Sequence, residues 1–185
     1  MFDRFALSYP YRYAHIINSP GSTGEGLFDC KNCHRCFDLT NDVEDCSYVA
    51  NGGYDLKDTR HSYGAGIGEL MYEVIDTGLG MSRATHSIVI RSGTEVQYSY
   101  NCHGSSHIFG CIGLRNKQYC ILNKQYSKEE YEKILSMIRE HMDEMPYQDK
   151  KGRRYPYGEF FPIELSPFAY NETIAQEYYP LTKGE

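Results

Sequence analysis

Cysteine returns every ninth residue at Cys102, Cys111 and Cys120, within "NCHGSSHIFGCIGLRNKQYC". A beat of this kind confines a chain to few architectures: metal ligands, a disulfide framework, or a backbone winding around itself. A second segment favours winding. "CFDLTNDVEDC" (Cys36 to Cys46) aligns with "CIGLRNKQYC" (Cys111 to Cys120), sharing Cys, an apolar residue, Leu39 or Leu114, Asn41 or Asn116, and a second Cys, with spacings that differ by one residue. Self-similarity made of a strand-sized piece plus a turn is the signature of a solenoid, whose coils stack at the strand spacing of about 4.8 Å. Cysteine suits an interior ladder because it is small, unbranched and apolar enough to bury. Asn suits a turn ladder, where its amide reaches the next coil. The nine-residue beat predicts half-coils in a coil of about eighteen residues, with Cys102 and Cys120 stacked and Cys111 facing them across a narrow interior.

From Cys30 to Asn123 the chain consists of short runs such as "SYVANG", "YEVIDTG", "HSIVIRSG" and "EVQYSYN", bounded by Gly, Asn, Asp or Ser. Those residues tolerate positive φ or bond to their own backbone, so they punctuate strands. "GIGELMYEVI" is the one run ambiguous between helix and strand. Upstream, a strand is expected at Tyr13–Ile17, broken by a Gly/Ser/Pro loop from Ser19 to Gly26. A solenoid has to end, because its last coil exposes an unpaired edge and an open core. "SKEEYEKILSMIREHMDEMP" supplies an end: Ser127 and Glu130 form a capping box, and Pro146 stops the helix. Between them Tyr131, Ile134, Leu135, Ile138, Met142 and Met145 make one apolar stripe. The expected fold is all-β: a single-stranded β-solenoid (β-helix) over residues 1–126, capped by an α-helix over 127–146. An extended Pro/aromatic-rich arm over 147–185 is expected to pack on the solenoid.

The formal charge of −6 and pI near 5.6 argue against nucleic acid as a partner for the whole surface. Neither a membrane-length apolar stretch nor an apolar signal region is present, which points to a cytoplasmic protein with no membrane partner. Seven cysteines, an odd number, fit a closed disulfide framework poorly and fit reduced thiols better.

The densest constellation is "CKNCHRC". Cys30, Cys33, Cys36 and Cys46, with His34 among them, could ligate a tetrahedral zinc, since CxxC sets two thiolates on one turn. The competing and preferred reading makes these cysteines rungs of the interior ladder. In "CHGSSHIFGC", neighbouring Cys102 and His103 point to opposite faces of a strand, so they do not share a metal, and His103 and His107 are expected in solvent. No spacing singles out a nucleophile, so no catalytic residue is assigned. Asp55, Asp58 and Asp76 near solenoid turns are similar to the acidic clefts of sugar-cleaving β-helices by fold analogy alone. Lys150, Lys151, Arg153 and Arg154 beside Tyr155 and Tyr157 could grip a single strand of nucleic acid, or simply form a basic linker.

The repeat, together with "GCIGLRNKQYCILNKQYSKEEYEK" and "YGEFFPIELSPFAYNETIAQEYYPLTK", resembles a group of uncharacterised cysteine-rich proteins of uncultivated, small-genome bacteria. Longer members resemble a β-solenoid core flanked by zinc-ribbon-like CxxC pairs; this chain lacks the flanking pairs. The resemblance implies the architecture and no particular activity. The expected role is a non-enzymatic binding or structural scaffold that takes a protein or polymer along a solenoid face rich in tyrosine, with self-association among its partners. A polysaccharide-acting β-helix enzyme and a zinc-dependent nucleic-acid binder are the alternatives. No cofactor is assigned beyond the candidate zinc.

Overall fold

The computed structural model describes residues 5, 8–10, 12–166 and 168–182. The chain divides into two compact units, Met1–Met137 and Ile138–Glu185. The first is a β-solenoid of about nine turns. Its strands are β1 (Ile16–Ile17), β2 (Gly24–Lys31), β3 (Cys36–Glu44), β4 (Ser47–Gly53), β5 (Leu56–Lys57), β6 (Arg60–Tyr63) and β7 (Gly68–Glu69), followed by β8 (Tyr72–Ile75), β9 (Gly78–Ile88), β10 (Arg91–Gln97), β11 (His103–Phe109), β12 (Gln118–Ile121) and β13 (Lys124–Gln125). All belong to one sheet, and every pairing is parallel except that of β12 with β13.

The register corrects the coil length. Leu27 pairs with Leu39 and Leu39 with Gly52; Ala84 pairs with Val96, Val96 with Ile108, and Ile108 with Cys120. From Leu27 onward each turn therefore takes 12 or 13 residues rather than eighteen, and the first, from Ile16 to Leu27, takes 11. The unit of winding is a triplet. Along "LFD CKN CHR CFD" the first residue of each group, Leu27, Cys30, Cys33 and Cys36, is buried, and the third, Asp29, Asn32, Arg35 and Asp38, has φ between +53° and +55°. Four triplets close a coil, which is thus four-sided. Where a coil has 13 residues, the extra one sits at a corner. Asn41 and Asp42 are both left-handed, with φ of +65° and +57°, and so are Tyr54 and Asp55 at +62° and +56°.

This geometry explains the composition. Thirty non-glycine residues among those described have positive φ, a conformation costing most side chains about 1–2 kcal/mol and tolerated best by Asn and Asp. Lateral hydrogen bonds between coils offset that strain: the amide of Tyr48 donates to the carbonyl of His34 at 3.0 Å, and that of Asp55 to Asn41 at 3.0 Å. Gly53 shows the limit of side-chain tolerance. At φ +149° a Cβ there would lie 2.1 Å from the carbonyl oxygen of Thr40.

Four interior ladders run the length of the unit. Ladder 1 contains Leu27, Leu39, Gly52, Ala65, Thr77, Ile90, Cys102 and Leu114; ladder 2 contains Cys30, Val43, Leu56, Gly68, Met81, Gly93 and Ser105. Ladder 3 contains Cys33, Cys46, Thr59, Met71, Ala84, Val96, Ile108 and Cys120; ladder 4 contains Cys36, Val49, Ser62, Val74, Ser87, Ser99 and Cys111. Cys102, Cys111 and Cys120 thus fall in ladders 1, 4 and 3. The nine-residue beat is three triplets, or three quarters of a coil, and these cysteines do not stack. The internal repeat itself holds: Cys36 and Cys111 share ladder 4, Leu39 and Leu114 ladder 1, and Cys46 and Cys120 ladder 3. Its one-residue mismatch is the extra corner residue at Asn41–Asp42.

Buried hydroxyls and thiols play one part in these ladders. Thr59, Ser62, Ser87 and Ser99 donate to the carbonyl two residues back at 2.8–3.0 Å, as Cys36, Cys102 and Cys120 do at 3.5 Å. The same oxygen then accepts from the neighbouring coil, as when Cys111 N donates to Ser99 Oγ at 3.1 Å. Ser19 and Ser22 accept in this way from the amides of Cys30 and Cys33, both at 3.1 Å, so the segment expected to be a loop belongs to the winding. The expected first strand shortens to β1.

The helix α1 (Lys128–Glu144) carries the capping box: Glu130 N donates to Ser127 Oγ at 3.2 Å, and Ser127 N to Glu130 Oε2 at 3.1 Å. Within the first unit its buried residues are Tyr131 and Leu135. Tyr131 meets His107 and Tyr119 edge-on, at 6.4 and 5.8 Å between ring centres. Met145, at the far end of the stripe, is 70% exposed. The second unit contains an antiparallel pair, β14 (Tyr147–Gln148) with β15 (Arg154–Tyr155), two 3₁₀ turns at Ile163–Leu165 and Tyr170–Glu172, and the short helix α2 (Ala175–Tyr178). Its hairpin closes on Asp149, whose buried carboxylate accepts from the amides of Lys151 and Arg153 at 2.9 and 2.8 Å. It also accepts from Arg153 Nε at 2.6 Å and Tyr155 Oη at 3.2 Å.

Candidate functional site

Three of the four clustered thiols occupy consecutive sides of one coil, and the fourth lies on the next. Cys30, Cys33 and Cys36 open ladders 2, 3 and 4, and Cys46 follows Cys33 in ladder 3; all four are 0–2% exposed and free. A CxxC step here is one triplet, the distance from one wall to the next. Each sulfur already donates to a backbone carbonyl, Cys33 to Lys31 at 3.5 Å and Cys46 to Glu44 at 3.3 Å among them. Burial pushes the Cys30 thiol up to about 11. Hydrogen bonds from Cys36 and Cys46 favour an anionic Cys33, and the same contacts push Cys36 and Cys46 upward. Burial likewise raises Cys102, Cys111 and Cys120. Among the described residues no group of three or more His, Cys, Asp or Glu is arranged to hold a metal ion. His34, a residue outward from Cys33, is exposed.

Other candidates separate in space. Cys102 points inward while His103 lies outside, half-buried between Arg91 and Arg115, with its imidazole held below its ordinary value by desolvation and those cations. His107 sits at a different corner, stacked on Tyr119 at 5.0 Å. Asp55, Asp58 and Asp76 occupy left-handed positions on three different corners, following ladders 1, 2 and 4, so they do not converge on one cleft. A depression of about 290 Å³ is shallow and pairs Asp55 with Lys57 at 3.4 Å beside Glu69 and Ser82. In the second unit Arg153 is committed to Asp149, and the guanidinium of Arg139 lies 5.0 Å over the ring of Tyr157.

Each triplet's middle residue points outward, so every ladder has an outer face, and the faces differ sharply. Face 2 alternates charge up the coils: Lys31, Glu44, Lys57 and Glu69 pair in register, then Ser82 and Thr94 follow. Near face 3 runs an aromatic stack. Arg35 lies 5.7 Å over Tyr48, Tyr48 stacks on His61 at 4.9 Å, and the series continues through Tyr72, His86 and Tyr98 to Phe109. Its parallel members, Tyr48 with His61 and His86 with Tyr98, turn their ring faces to each other. Those faces are therefore taken up within the stack. His86 also meets Glu73 at 3.4 Å.

Face 4 opens on Glu25 and is apolar from Phe37 onward. Phe37, Ala50, Tyr63, Ile75, Ile88, Tyr100 and Ile112 pair in unbroken register over seven coils. Phe37, Tyr63, Tyr100 and Ile112 are 49–63% exposed and Ile75 is 39% exposed. Isolated surface apolar residues are ordinary, but a contiguous ladder of them marks an interaction surface. The signal was in the sequence at steps of 12 or 13 residues, and an eighteen-residue period scatters it over several faces.

No family model, curated protein or solved structure matches the chain.

Proposed function

We propose that the chain is a non-enzymatic binding scaffold whose working surface is face 4. The observation that carries this reading is the seven-rung apolar ladder on a protein of net charge −6. A flat parallel sheet fixes those side chains on a rigid lattice, so a protein or polymer lying along it orders few new rotamers on binding. The dispersal of Asp55, Asp58 and Asp76 supports a scaffold over a polysaccharide-cleaving enzyme, which needs converging carboxylates. Seven buried free thiols support residence in a reducing compartment, the cytoplasm. No helix among the described residues is long and apolar enough to cross a membrane.

A second reading, a zinc-dependent binder, draws on the contacts of Cys33 with Cys36 and Cys46. A metal there would have to replace the carbonyl contacts those thiols already make. Affinity capture with the full chain, the face 4 variant Tyr63→Lys and the face 2 variant Lys57→Ala tests the primary reading. Capture lost with Tyr63→Lys and retained with Lys57→Ala is the expected result. Equal capture by all three, or turnover of any polysaccharide by the purified protein, would remove face 4 from its role.

A further inference from the structure

Resting on the scaffold reading, we propose that face 4 takes a second copy of this chain, docked face to face with the two solenoid axes antiparallel.

Charge along the axis sets the orientation. Between Glu25 and Asp58 the solenoid carries eight carboxylates against three Lys and Arg side chains; between Val96 and Tyr126 it carries none against three. The rod is acidic at its first coils and basic at its last. A parallel pair would set acid beside acid over the full length, whereas an antiparallel pair sets the acidic coils of each copy beside the basic coils of the other.

Side-chain size agrees. The middle rung of the seven is Ile75, so a two-fold axis through it matches Phe37 with Ile112, Ala50 with Tyr100, and Tyr63 with Ile88. The smallest residue on the face then opposes a large ring, as interdigitating sheets require. The parallel arrangement would stack each ring on its own copy and leave a gap at Ala50. No other face offers this: face 2 pairs Lys31 with Glu44, and face 1 ends in Arg91 and Arg115 on either side of His103.

The contact is modest. Six steps of about 4.8 Å give a strip roughly 29 Å long and one strand-triplet wide, below a standard interface of about 800 Å² per partner. The dimer is therefore reversible, with a dissociation constant in the micromolar range or weaker, and it loosens as salt screens the axial charge.

Sedimentation equilibrium on the full chain, with cross-linking, tests this. The parent should show a concentration-dependent dimer, and Ile75→Lys, which sets two cations on the axis, should weaken it at least about tenfold without changing the circular dichroism. Should that variant misfold, Tyr63→Gln serves in its place. Packed sheets lie about 10 Å apart, within reach of a short bis-maleimide. Ile75→Cys should therefore cross-link as a single substitution, and Ala50→Cys with Tyr100→Cys should cross-link together, while Tyr100→Cys alone should not. A strictly monomeric parent overturns the dimer but leaves the scaffold reading standing, since capture on face 4 is measured separately. A dimer unmoved by Ile75→Lys overturns the interface, and cross-linking by Tyr100→Cys alone overturns the antiparallel arrangement.

Discussion

The two units of the chain hold their structure in opposite ways. In the solenoid every triplet repeats one solution: an inward side chain, an outward one and a left-handed corner. Leu27, Leu39 and Val43 do for their coils what Val96 and Ile108 do for theirs. The second unit has no such redundancy. Its hairpin depends on one buried carboxylate, Asp149, which collects donors from Lys151, Arg153 and Tyr155. Periodic order spreads its energy over nearest-neighbour coils, while aperiodic order concentrates it in single residues. Damage should therefore travel differently in the two.

The largest effect is expected where the repetitive part stops. Leu135→Asp places a charge at a buried site of α1 within the solenoid unit, with an expected loss of about 3 kcal/mol or more. The protein should self-associate through the bared coil edge. A soluble variant with the parent's melting temperature would show that the helix covers nothing.

Next comes the residue that has no substitute. Burial pushes Asp149 up, but hydrogen bonds from Arg153 and Tyr155 outweigh it and hold the carboxyl below its ordinary value of 3.8. A depressed folded value contributes stability that is present at neutral pH and lost as pH falls through it. Hydrogen exchange at Tyr147–Gln148 and Arg154–Tyr155 should accelerate below pH 3.8 while the coils stay protected. Asp149→Asn should show that acceleration already at neutral pH. Uniform loss of protection across both units would contradict the contrast drawn between them.

A smaller effect is expected inside the solenoid at Cys33. As one rung among many, Cys33→Ala should cost about 1–2 kcal/mol, and a strong chelator should leave the parent's melting temperature unchanged. Structural zinc contributes roughly 10 kcal/mol to folding, so one zinc per chain lost together with structure would move the zinc-dependent binder to first place. Cys102, Cys111 and Cys120 should also resist labelling until denaturant is added, since burial keeps them protonated.

The smallest effect has the opposite sign. Val89 is β-branched yet has φ +56° at a corner. Val89→Asn supplies a residue suited to that conformation and should raise stability by roughly 0.5–1 kcal/mol. A loss of stability there would mean that Val89 is retained for contacts its side chain makes.

Much of this molecule can be read from its residues alone. Turn formers between short apolar runs, the match of Cys36–Cys46 with Cys111–Cys120, and Ser127 with Glu130 each encode local backbone geometry, and the solenoid and the cap of α1 follow from them. These signals are legible because neighbours in sequence determine them. The triplet was equally present, in Asp29, Asn32, Arg35 and Asp38, but the cysteines imposed a longer beat that masks it. What only the tertiary structure decided is how many triplets close a coil. Closure depends on how large an interior four inward side chains can fill and where an extra corner residue such as Asp42 is inserted. That number assigns Cys102, Cys111 and Cys120 to three ladders, disperses Asp55, Asp58 and Asp76, and gathers Phe37 through Ile112 onto one face. Residues 12 or 13 positions apart become neighbours about 4.8 Å apart only once the coil has closed, so the winding assembles the surface that carries the proposed function from residues spaced along the chain.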